Sequence, residues 1–592
     1  MKNLAFVLFL LLLMGACKPK VKNLDILDNS AFSALTELYY QEGLKLNPMS
    51  ATVVGDNRYN DLLPNDGSLA YMDAYKRHEM RFLDSLNHYE RGSLSDNDKL
   101  SYDVMKDELL VNIQGTQYHF EYLPFNQMFA LPLTMGQFGS GTGAQPFKTV
   151  EDYDNWLKRV AAFSVWSDTA IGNFKKGMKA GIVFPKALVV KMIPQMQGMI
   201  VTDPAKSLFY GPINLMPKEF SANDKARLTA AYSNAILTVI VPTYKKLGDF
   251  LQNEYLPKAR ATSGLSSIPE GTKMYTYLVR QQTTTNKSPE EIYQTGLNEV
   301  ARIRLLMDST KNSVGFKGDL KSFFEYMKTD KKFMPFHKPS EVLAAFESIH
   351  QRMKPNLVKL FANEPKTPFE IRQTEAFRAA SASAEYNQGS ADGKRPGVFY
   401  VPILDATTFN STSGMESLFL HEAIPGHHYQ ISLTQENTSL PKFRRYGGHN
   451  AFVEGWALYC ESLGKELGLY TDPYQYMGAL GDEIHRAIRL VVDVAIHTKN
   501  MSREEAIKYM MDNEAISEQG ATAEIERYMG IPAQALGYKI GAMKIRALRT
   551  KYEKALGDKF NVAEFHTEIL KDGSLPLNVL ESKMDAWASS KQ

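Results

Sequence analysis

HEAIPGHH, residues 421–428, is the stretch of this 592-residue chain that decides its predicted fold. It places a glutamate beside a histidine and adds two more histidines within two helical turns. Imidazole is a common zinc ligand, and a glutamate at such a site can take a proton from water. In the motif HExxH the second histidine follows the first by four residues. Here that position is Pro425, which cannot be a ligand, so the second ligand must be His427 or His428.

A regular helix cannot bring either histidine to the same ion as His421. At about 100° per residue, His428 returns to within roughly 20° of the direction of His421 but lies about 10.5 Å farther along the axis. His427 points roughly 120° away. Proline kinks helices and glycine tolerates unusual dihedral angles, so Pro425 and Gly426 predict a kink or bulge that returns one of the two histidines. The alternative is a polar loop with fortuitous histidines.

A third ligand is predicted in AFVEGWALYCE, residues 451–461. Glu454 lies there in an otherwise apolar helical pattern, where a glutamate is costly unless it is paired or binds a metal. It follows His427 by 27 residues and His428 by 26. Three protein ligands with water in the fourth position are typical of catalytic zinc. The alternative is a glutamate at the surface or in a salt bridge.

Four stretches carry a resemblance to a known family: HEAIPGHHYQ, FVEGWALYCE, RLVVDVAIHTKN and PAQALGYKIGAMKI. They resemble the domain-of-unknown-function family 885, many of whose members are bacterial lipoproteins described as peptidases. The likeness runs from about Ser30 to the C-terminus and is sharpest from Tyr386 onward. That family in turn resembles the mostly helical zinc peptidases (gluzincins) of the thimet-oligopeptidase and angiotensin-converting-enzyme type, whose glutamate ligand has a similar FVE context.

The resemblance implies a mainly α fold with a deep cleft, a short β-strand beside the metal helix, and a zinc cofactor. It assigns Glu422 as general base and Glu454 as ligand. Tyr538 and Gln534 lie where those enzymes place a glycine-flanked tyrosine. By this resemblance Tyr538 can hydrogen-bond the oxyanion, and Gln534 is a candidate substrate-binding residue. The alternative for Tyr538 is a packed ring whose hydroxyl is satisfied locally.

Three further residues are candidates for supporting roles. Asp493 and His497 are four residues apart on a predicted helix and could form a pair that orients a metal ligand. A plain hydrogen bond on the helix surface is the alternative. Arg395, in DGKRPG, could hold a substrate carboxylate because guanidinium matches that group bidentately. Its alternative role is to stabilise the turn.

The first 17 residues, MKNLAFVLFLLLLMGAC, predict export. The apolar run is too short for a bilayer, which needs about 20 residues, and fits a signal peptide over residues 1–16. The end of this stretch resembles a bacterial lipobox, which implies a lipid on Cys17 and a tether over residues 17–28. Lysines follow Cys17 without an acidic cluster, so we expect a periplasm-facing membrane lipoprotein. An ordinary signal peptide or uncleaved anchor is the alternative.

Composition bounds the remaining possibilities. With 44% apolar residues the chain can bury a large core, and we expect one large helical domain over residues 29–592. We divide it into an N-terminal helical half to about residue 380 and a metal-site half over residues 381–592. There are 68 basic and 66 acidic residues, a net charge of +2, which gives no case for nucleic-acid binding. No obligate protein partner is evident. Cys460 is expected to be a small core residue.

The spacing of apolar residues predicts a mostly helical chain. Serine or threonine caps are expected at Thr149 and Ser288, and residues 398–404 are predicted to form a strand along which a substrate backbone could pair. The predicted helices span about 29–44, 71–86, 96–114, 150–180, 226–254 (interrupted at Pro242), 288–311 and the motif helix 412–424, with a glycine-rich loop at 135–145.

These features predict a metallopeptidase with zinc-activated water and Glu422 as general base. The resemblance to helical zinc peptidases implies that its substrates are short peptides. One alternative is a metal-dependent amidase that acts on a non-peptide or cell-wall amide. The other is a non-catalytic binding lipoprotein on a peptidase scaffold. An intact Glu422 argues against the second alternative, because metal binding alone needs no base beside a ligand.

Overall fold

The computed structural model describes residues 30–375, 383–390, 395–412 and 414–592. The predicted signal peptide, Cys17 and the tether lie outside these residues. The described chain is mainly α, as predicted, with three short strands. No helix in the described ranges is long and apolar enough to cross a membrane.

Twenty-four α-helices, connected by short 3-10 and π segments, make up most of the described chain. In chain order they are α1 Ser30–Leu46, α2 Pro48–Val53, α3 Leu69–Asn87, α4 Asp96–Gly115, α5 Leu131–Gly139, α6 Val150–Ala180, α7 Lys186–Gln197, α8 Gly211–Asn214, α9 Ala222–Ala235, α10 Val241–Phe250, α11 Gly271–Thr283, α12 Pro289–Ser313, α13 Leu320–Thr329, α14 Pro339–Leu360, α15 Met415–Glu422, α16 His427–Glu436, α17 Lys442–Arg445, α18 Asn450–Glu461, α19 Pro473–Thr498, α20 Arg503–Asn513, α21 Glu518–Gly530, α22 Leu536–Leu556, α23 Val562–Leu570 and α24 Leu577–Ser589.

The predicted helix starts are confirmed by their capping hydrogen bonds. The Thr149 hydroxyl accepts from the backbone N–H of Asp152, and the Asp152 carboxylate accepts in return from the Thr149 backbone. Ser288 and Glu291 form the same reciprocal pair at the start of α12. Each pair satisfies two backbone donors that a helix end otherwise leaves free, which is why these starts can be located from sequence.

Two local predictions are wrong in part. The sequence predicts a loop over residues 135–145, and residues 140–145 form one, but α5 runs to Gly139 because Met135 and Phe138 give it one buried apolar face. Pro242 was expected to interrupt its helix, yet helical segments follow one another without a gap from Ala222 to Tyr255. A π-helical turn at Ile236–Ile240 precedes Pro242, which then lies in the first turn of α10, where a missing N–H is tolerated.

The strands form one small sheet in the order β1-β3-β2, with β1 Phe369–Gln373, β2 Glu385–Asn387 and β3 Gly397–Val401. β1 pairs with β3 in parallel, and β2 pairs with β3 antiparallel. The strand predicted at residues 398–404 is therefore the central one. Because both of its edges are already paired, it cannot take up a substrate backbone in the way expected from sequence.

Two hydrophobic clusters form the core, and both draw on helices from distant parts of the sequence. The first combines N-terminal helices with those around the motif, and the second contains α6, α7, α10 and α21. Helix α19 lies between them, with Leu490 and Val494 in the first cluster and Ile488 and Val492 in the second. Each core therefore contains residues from both sides of residue 380.

His566 on α23 is buried in the first cluster with both ring nitrogens bonded. Nδ1 donates to the Leu360 carbonyl at 2.8 Å, and Nε2 accepts from the Tyr459 hydroxyl at 2.8 Å. Burial lowers the pKa of His566 to about 3. The unfolded chain, in which this pKa is near 6.5, thus binds more protons between pH 6.5 and 3.

We expect the free energy of unfolding to decrease as the pH falls below about 6.5, by up to about 1.4 kcal/mol per pH unit from His566. His566→Gln, which cannot bind the proton, should show a shallower loss of thermal midpoint between pH 6.5 and 4.5 than the unmodified protein. His88→Gln changes an exposed histidine and is the matched control. Equal pH slopes for all three proteins would contradict the assignment.

Candidate metal centre

The motif helix breaks within HEAIPGHH. Helix α15 ends at Glu422, and α16 begins at His427. Between them Ala423 has φ −102° and ψ −107°, Gly426 has φ −73° and ψ −125°, and the Ile424–Pro425 peptide is cis. The predicted break is therefore confirmed. It turns the chain so that the His427 ring lies 4.9 Å from the His421 ring, perpendicular to it.

Gly426 makes this turn possible. A Cβ atom at residue 426 would overlap the backbone carbonyl oxygens of His421 and Leu420, far inside van der Waals contact. Both carbonyls belong to the helix that carries the first histidine, so they cannot move without moving that ring. Only glycine allows the chain to pass so close.

Three side chains converge at the break: His421, His427 and Glu454, here called the HHE cluster. Oε2 of Glu454 lies 3.6 Å from Nε2 of His421 and 3.6 Å from Nε2 of His427. Their ligand atoms all lie within 4.8 Å of one another, and no other group of this kind occurs among the residues described. Two imidazoles and one carboxylate are a donor set suited to zinc.

The structure separates His428 from the HHE cluster. Nδ1 of His428 accepts a hydrogen bond from the Tyr386 hydroxyl at 3.0 Å, and the ring of Phe369 lies 5.0 Å away. Burial lowers the pKa of His428 to about 4. Of the two histidines that sequence left open, His427 is the one beside His421 and Glu454.

The electrostatics of the HHE cluster favour a cation. Burial raises the pKa of Glu454, but the adjacent imidazoles of His421 and His427 outweigh this and hold that pKa well below its usual range. Burial lowers the pKa of His421, yet the carboxylates of Glu454 and Glu461 raise it well above its usual value. A divalent cation at this place would displace a proton from His421.

Glu461 is a residue that the sequence interpretation missed. Nδ1 of His421 donates to its carboxylate at 2.7 Å, which turns the other ring nitrogen toward Glu454. Glu461 is 6% exposed, and its second oxygen has no hydrogen-bond partner among the described residues. Because it follows Glu454 by two helical turns on α18, the pair of acids on one face of an apolar helix was the available signal.

Helix α18 also forms hydrogen bonds with the turn between α15 and α16. The indole N–H of Trp456 donates to the Pro425 carbonyl at 2.9 Å, and the Cys460 thiol approaches the same oxygen at 3.5 Å. Cys460 is buried, as predicted, with its thiol against the break. The helix that supplies Glu454 thus also fixes the turn that delivers His427.

Glu422 and Tyr538 flank the HHE cluster. Glu422 is the last residue of α15, is partly exposed, and has no hydrogen-bond partner among the residues described. The Tyr538 ring lies 6.5 Å from the His421 ring and is nearly parallel to it, at 14°. In the described ranges its hydroxyl also has no hydrogen-bond partner.

Asp493 and His497 do not form the predicted pair. Asp493 accepts from the Tyr275 hydroxyl at 2.6 Å and from the backbone N–H of Ala533. His497 accepts from the Leu265 N–H and donates to the Tyr528 carbonyl, both at 3.0 Å. Asp493 and His497 thus bond α19 to different neighbouring segments rather than to each other. Neither contacts a residue of the HHE cluster.

The two predicted substrate-binding residues, Gln534 and Arg395, contact neighbouring segments. The Gln534 amide accepts from Arg527 at 2.7 Å and donates to Asn450 at 3.3 Å. These bonds use both ends of the amide and connect Gln534, just before α22, to α21 and to the start of α18. Arg395 is exposed, and its backbone N–H donates to the Ser390 hydroxyl at 2.9 Å in the turn before β3.

Replacing Gly426 should disrupt the HHE cluster. We expect Gly426→Ala to abolish stoichiometric zinc uptake, because the added methyl group collides with the His421 carbonyl and displaces His427. Zinc content after dialysis, measured by elemental analysis, tests this. Gly172→Ala on α6 is the control, since a Cβ there meets no atom within 4 Å. Unchanged zinc uptake in Gly426→Ala would show that the turn tolerates a side chain.

Removing the charge behind His421 should weaken metal binding without abolishing it. We expect Glu461→Gln to lower zinc affinity by about 10- to 100-fold, the usual effect of losing a carboxylate behind a ligand histidine. Competition with a chromogenic chelator measures the affinity. Glu466→Gln, which removes a carboxylate bound to Arg549, is the matched control. An affinity equal to that of the control would contradict the role of Glu461.

Comparison with known proteins places the chain in a family. A family model described as "Bacterial protein of unknown function (DUF885)" matches residues 48–584. No curated protein matches the chain. A crystal structure of a "putative lipoprotein from Colwellia psychrerythraea" is 26% identical, with a TM-score of 0.85 over 95% of this chain and 99% of that one.

A second structure, "a putative lipoprotein of unknown function from Shewanella oneidensis", is 19% identical and has a TM-score of 0.74. It covers 93% of this chain and 99% of the other, and at this identity it shows a shared fold. The family match spans most of the sequence, and the chain therefore belongs to the bacterial DUF885 family.

Proposed function

We propose that this protein is a zinc-dependent peptidase that hydrolyses short peptides. The observation that carries the proposal is the HHE cluster, in which two imidazoles and a carboxylate from three helices meet beside Glu422. Structural zinc sites use four protein ligands, whereas catalytic sites use three and keep one position open. A three-donor set therefore favours chemistry over a purely structural ion.

His421, His427 and Glu454 would hold the zinc ion. Bound there, zinc would supply Lewis-acid chemistry and make water a stronger acid. The donor set fits because Glu454 provides the negative charge and the Glu461 carboxylate orients His421 through its other nitrogen. Nδ1 of His427 has no such partner among the described residues, so His421 is the better-oriented ligand.

Glu422 would act as general base and then as general acid. It directly follows His421, and no hydrogen bond within the described chain holds its carboxylate. It would take a proton from the attacking water and transfer it to the leaving amine. Tyr538 lies beside the His421 ring, and its hydroxyl has no hydrogen-bond partner among the described residues. It would donate a hydrogen bond to the oxyanion.

The envelope assignment is part of the proposal. The structural relative of 26% identity is described as a "putative lipoprotein", and residues 1–17 of this chain resemble a lipoprotein signal sequence. We propose that Cys17 carries the lipid and that the folded domain faces the periplasm. Peptide substrates would then reach the protein in that compartment.

Metal content and hydrolysis together test the function. We expect about one zinc per chain in the mature protein, lost in His421→Ala, His427→Ala and Glu454→Ala. His428→Ala is the matched control, because its ring is bonded to Tyr386 rather than to the HHE cluster. Glu422→Gln should retain zinc and lose hydrolysis of short peptides by about 10²- to 10⁴-fold.

A substrate panel separates the proposed peptidase from its rivals. Short peptides should be hydrolysed faster than cell-wall muropeptides, and the reverse preference would identify an amidase with the same chemistry. Absence of bound zinc, with none taken up on addition, would reject the zinc mechanism. Normal cellular function of the Glu422→Gln variant would favour a binding protein.

A further inference from the structure

A buried arginine lies next to the proposed oxyanion donor. Arg489 on α19 is 4% exposed. Its Nε donates to the Tyr528 hydroxyl at 3.0 Å, and one terminal nitrogen donates to the Glu524 carboxylate at 3.0 Å. The other terminal nitrogen is buried without a partner among the described residues. A guanidinium held this way has little freedom to move.

This guanidinium also packs against the ring of Tyr538. The central carbon of the Arg489 guanidinium lies 4.8 Å from the centre of that ring, within the range of a cation–π contact. The same ring lies nearly parallel to the His421 imidazole. Because the Tyr538 hydroxyl has no hydrogen bond within the described chain, the position of the ring depends on packing against its faces and edges.

The two residues that accept hydrogen bonds from Arg489 lie on another helix, and one of them, Tyr528, belongs to the second hydrophobic cluster. Tyr528 and Glu524 lie on α21, and the Glu524 carboxylate is also 3.5 Å from Nε2 of His485. His485 in turn bonds Glu514 at 2.8 Å. Arg489 is the member of this ionic network that reaches Tyr538, and it therefore connects α21 to the candidate metal centre.

We propose that Arg489 is the positioning residue for Tyr538. It fixes the ring so that the Tyr538 hydroxyl can donate to the reacting carbonyl, and it presents a positive charge beside the phenol that strengthens this hydrogen bond. This inference rests on the proposed peptidase function. It predicts that α21, which contributes no ligand to the HHE cluster, nevertheless affects the chemical step through Arg489.

A double-mutant cycle tests whether Arg489 acts through Tyr538. We expect Arg489→Gln to lower kcat for a short peptide by about 10-fold with KM unchanged, because the lost stabilisation belongs to the transition state. In a Tyr538→Phe background the same substitution should cause no further loss. Arg489→Lys, which retains a cation, should recover part of kcat. Independent, multiplicative losses in the double variant would overturn the proposal.

The control breaks a similar ion pair that does not involve Tyr538. Arg503 donates to the Glu526 carboxylate on the same helix α21 at 2.9 Å. Arg503→Gln should leave kcat and KM unchanged. If Arg489→Gln fails to fold because Glu524 loses its partner, the pair Arg489→Met with Glu524→Gln removes both charges and enters the same cycle. An equal loss of kcat in Arg503→Gln would show a general effect of loosening α21 and would overturn the proposal.

A readout independent of hydrolysis is the orientation of the ring itself. In crystals of the Arg489→Gln protein, or of the charge-free pair, we expect Tyr538 to leave its near-parallel arrangement with His421. An unchanged ring would overturn the proposal whatever the activity. If the ring is displaced in the variant but the unmodified protein also hydrolyses no peptide, the positioning role of Arg489 is upheld and the proposed function is rejected.

Discussion

The close passage of Gly426 over the carbonyls of His421 and Leu420 is the constraint on which the candidate centre depends. A continuous helix would carry the second histidine away from the first, by rotation for His427 and by translation for His428. The break between α15 and α16 solves this by restarting the helix in a new direction. The turn brings His427 back to His421, and both histidines then lie beside Glu454.

Helix α18 combines three tasks that the cluster requires. It supplies Glu454, it places Glu461 behind His421, and it holds the Pro425 carbonyl through Trp456. It also packs tightly on α22 where Gly455 meets Gly541, since a Cβ on Gly455 would overlap that backbone. This close contact brings Tyr538 of α22 to the same side as Glu454 and so assembles the flank of the site.

Helix α19 connects the centre to the second hydrophobic cluster. One face packs with the helices around the motif, and another packs with α21 and its neighbours. Its buried polar residues are used as links, with Asp493 and His497 bonded to adjoining segments and Arg489 reaching Tyr538. Each of these three side chains makes at least two hydrogen bonds, which offsets the cost of burying a polar group.

Local features can be predicted from the sequence alone. The mainly helical class follows from apolar spacing, the starts of α6 and α12 from capping residues, and the candidate ligand types from HEAIPGHH and the acid in AFVEGWALYCE. Pro425 and Gly426 also predicted that the motif helix breaks. Each of these depends on neighbours within one or two helical turns.

The direction of the break and its consequences depend instead on tertiary packing, which spacing along the chain does not specify. The choice of His427 over His428, the contact of Glu461 with His421, and the separate partners of Asp493 and His497 all depend on residues far away in the chain. Tertiary packing also explains α5, which is helical despite its glycines because one of its faces is buried. It likewise explains why β3 is the central strand of its sheet. Spacing along a helix fixes which residues share a face, but packing decides what that face meets.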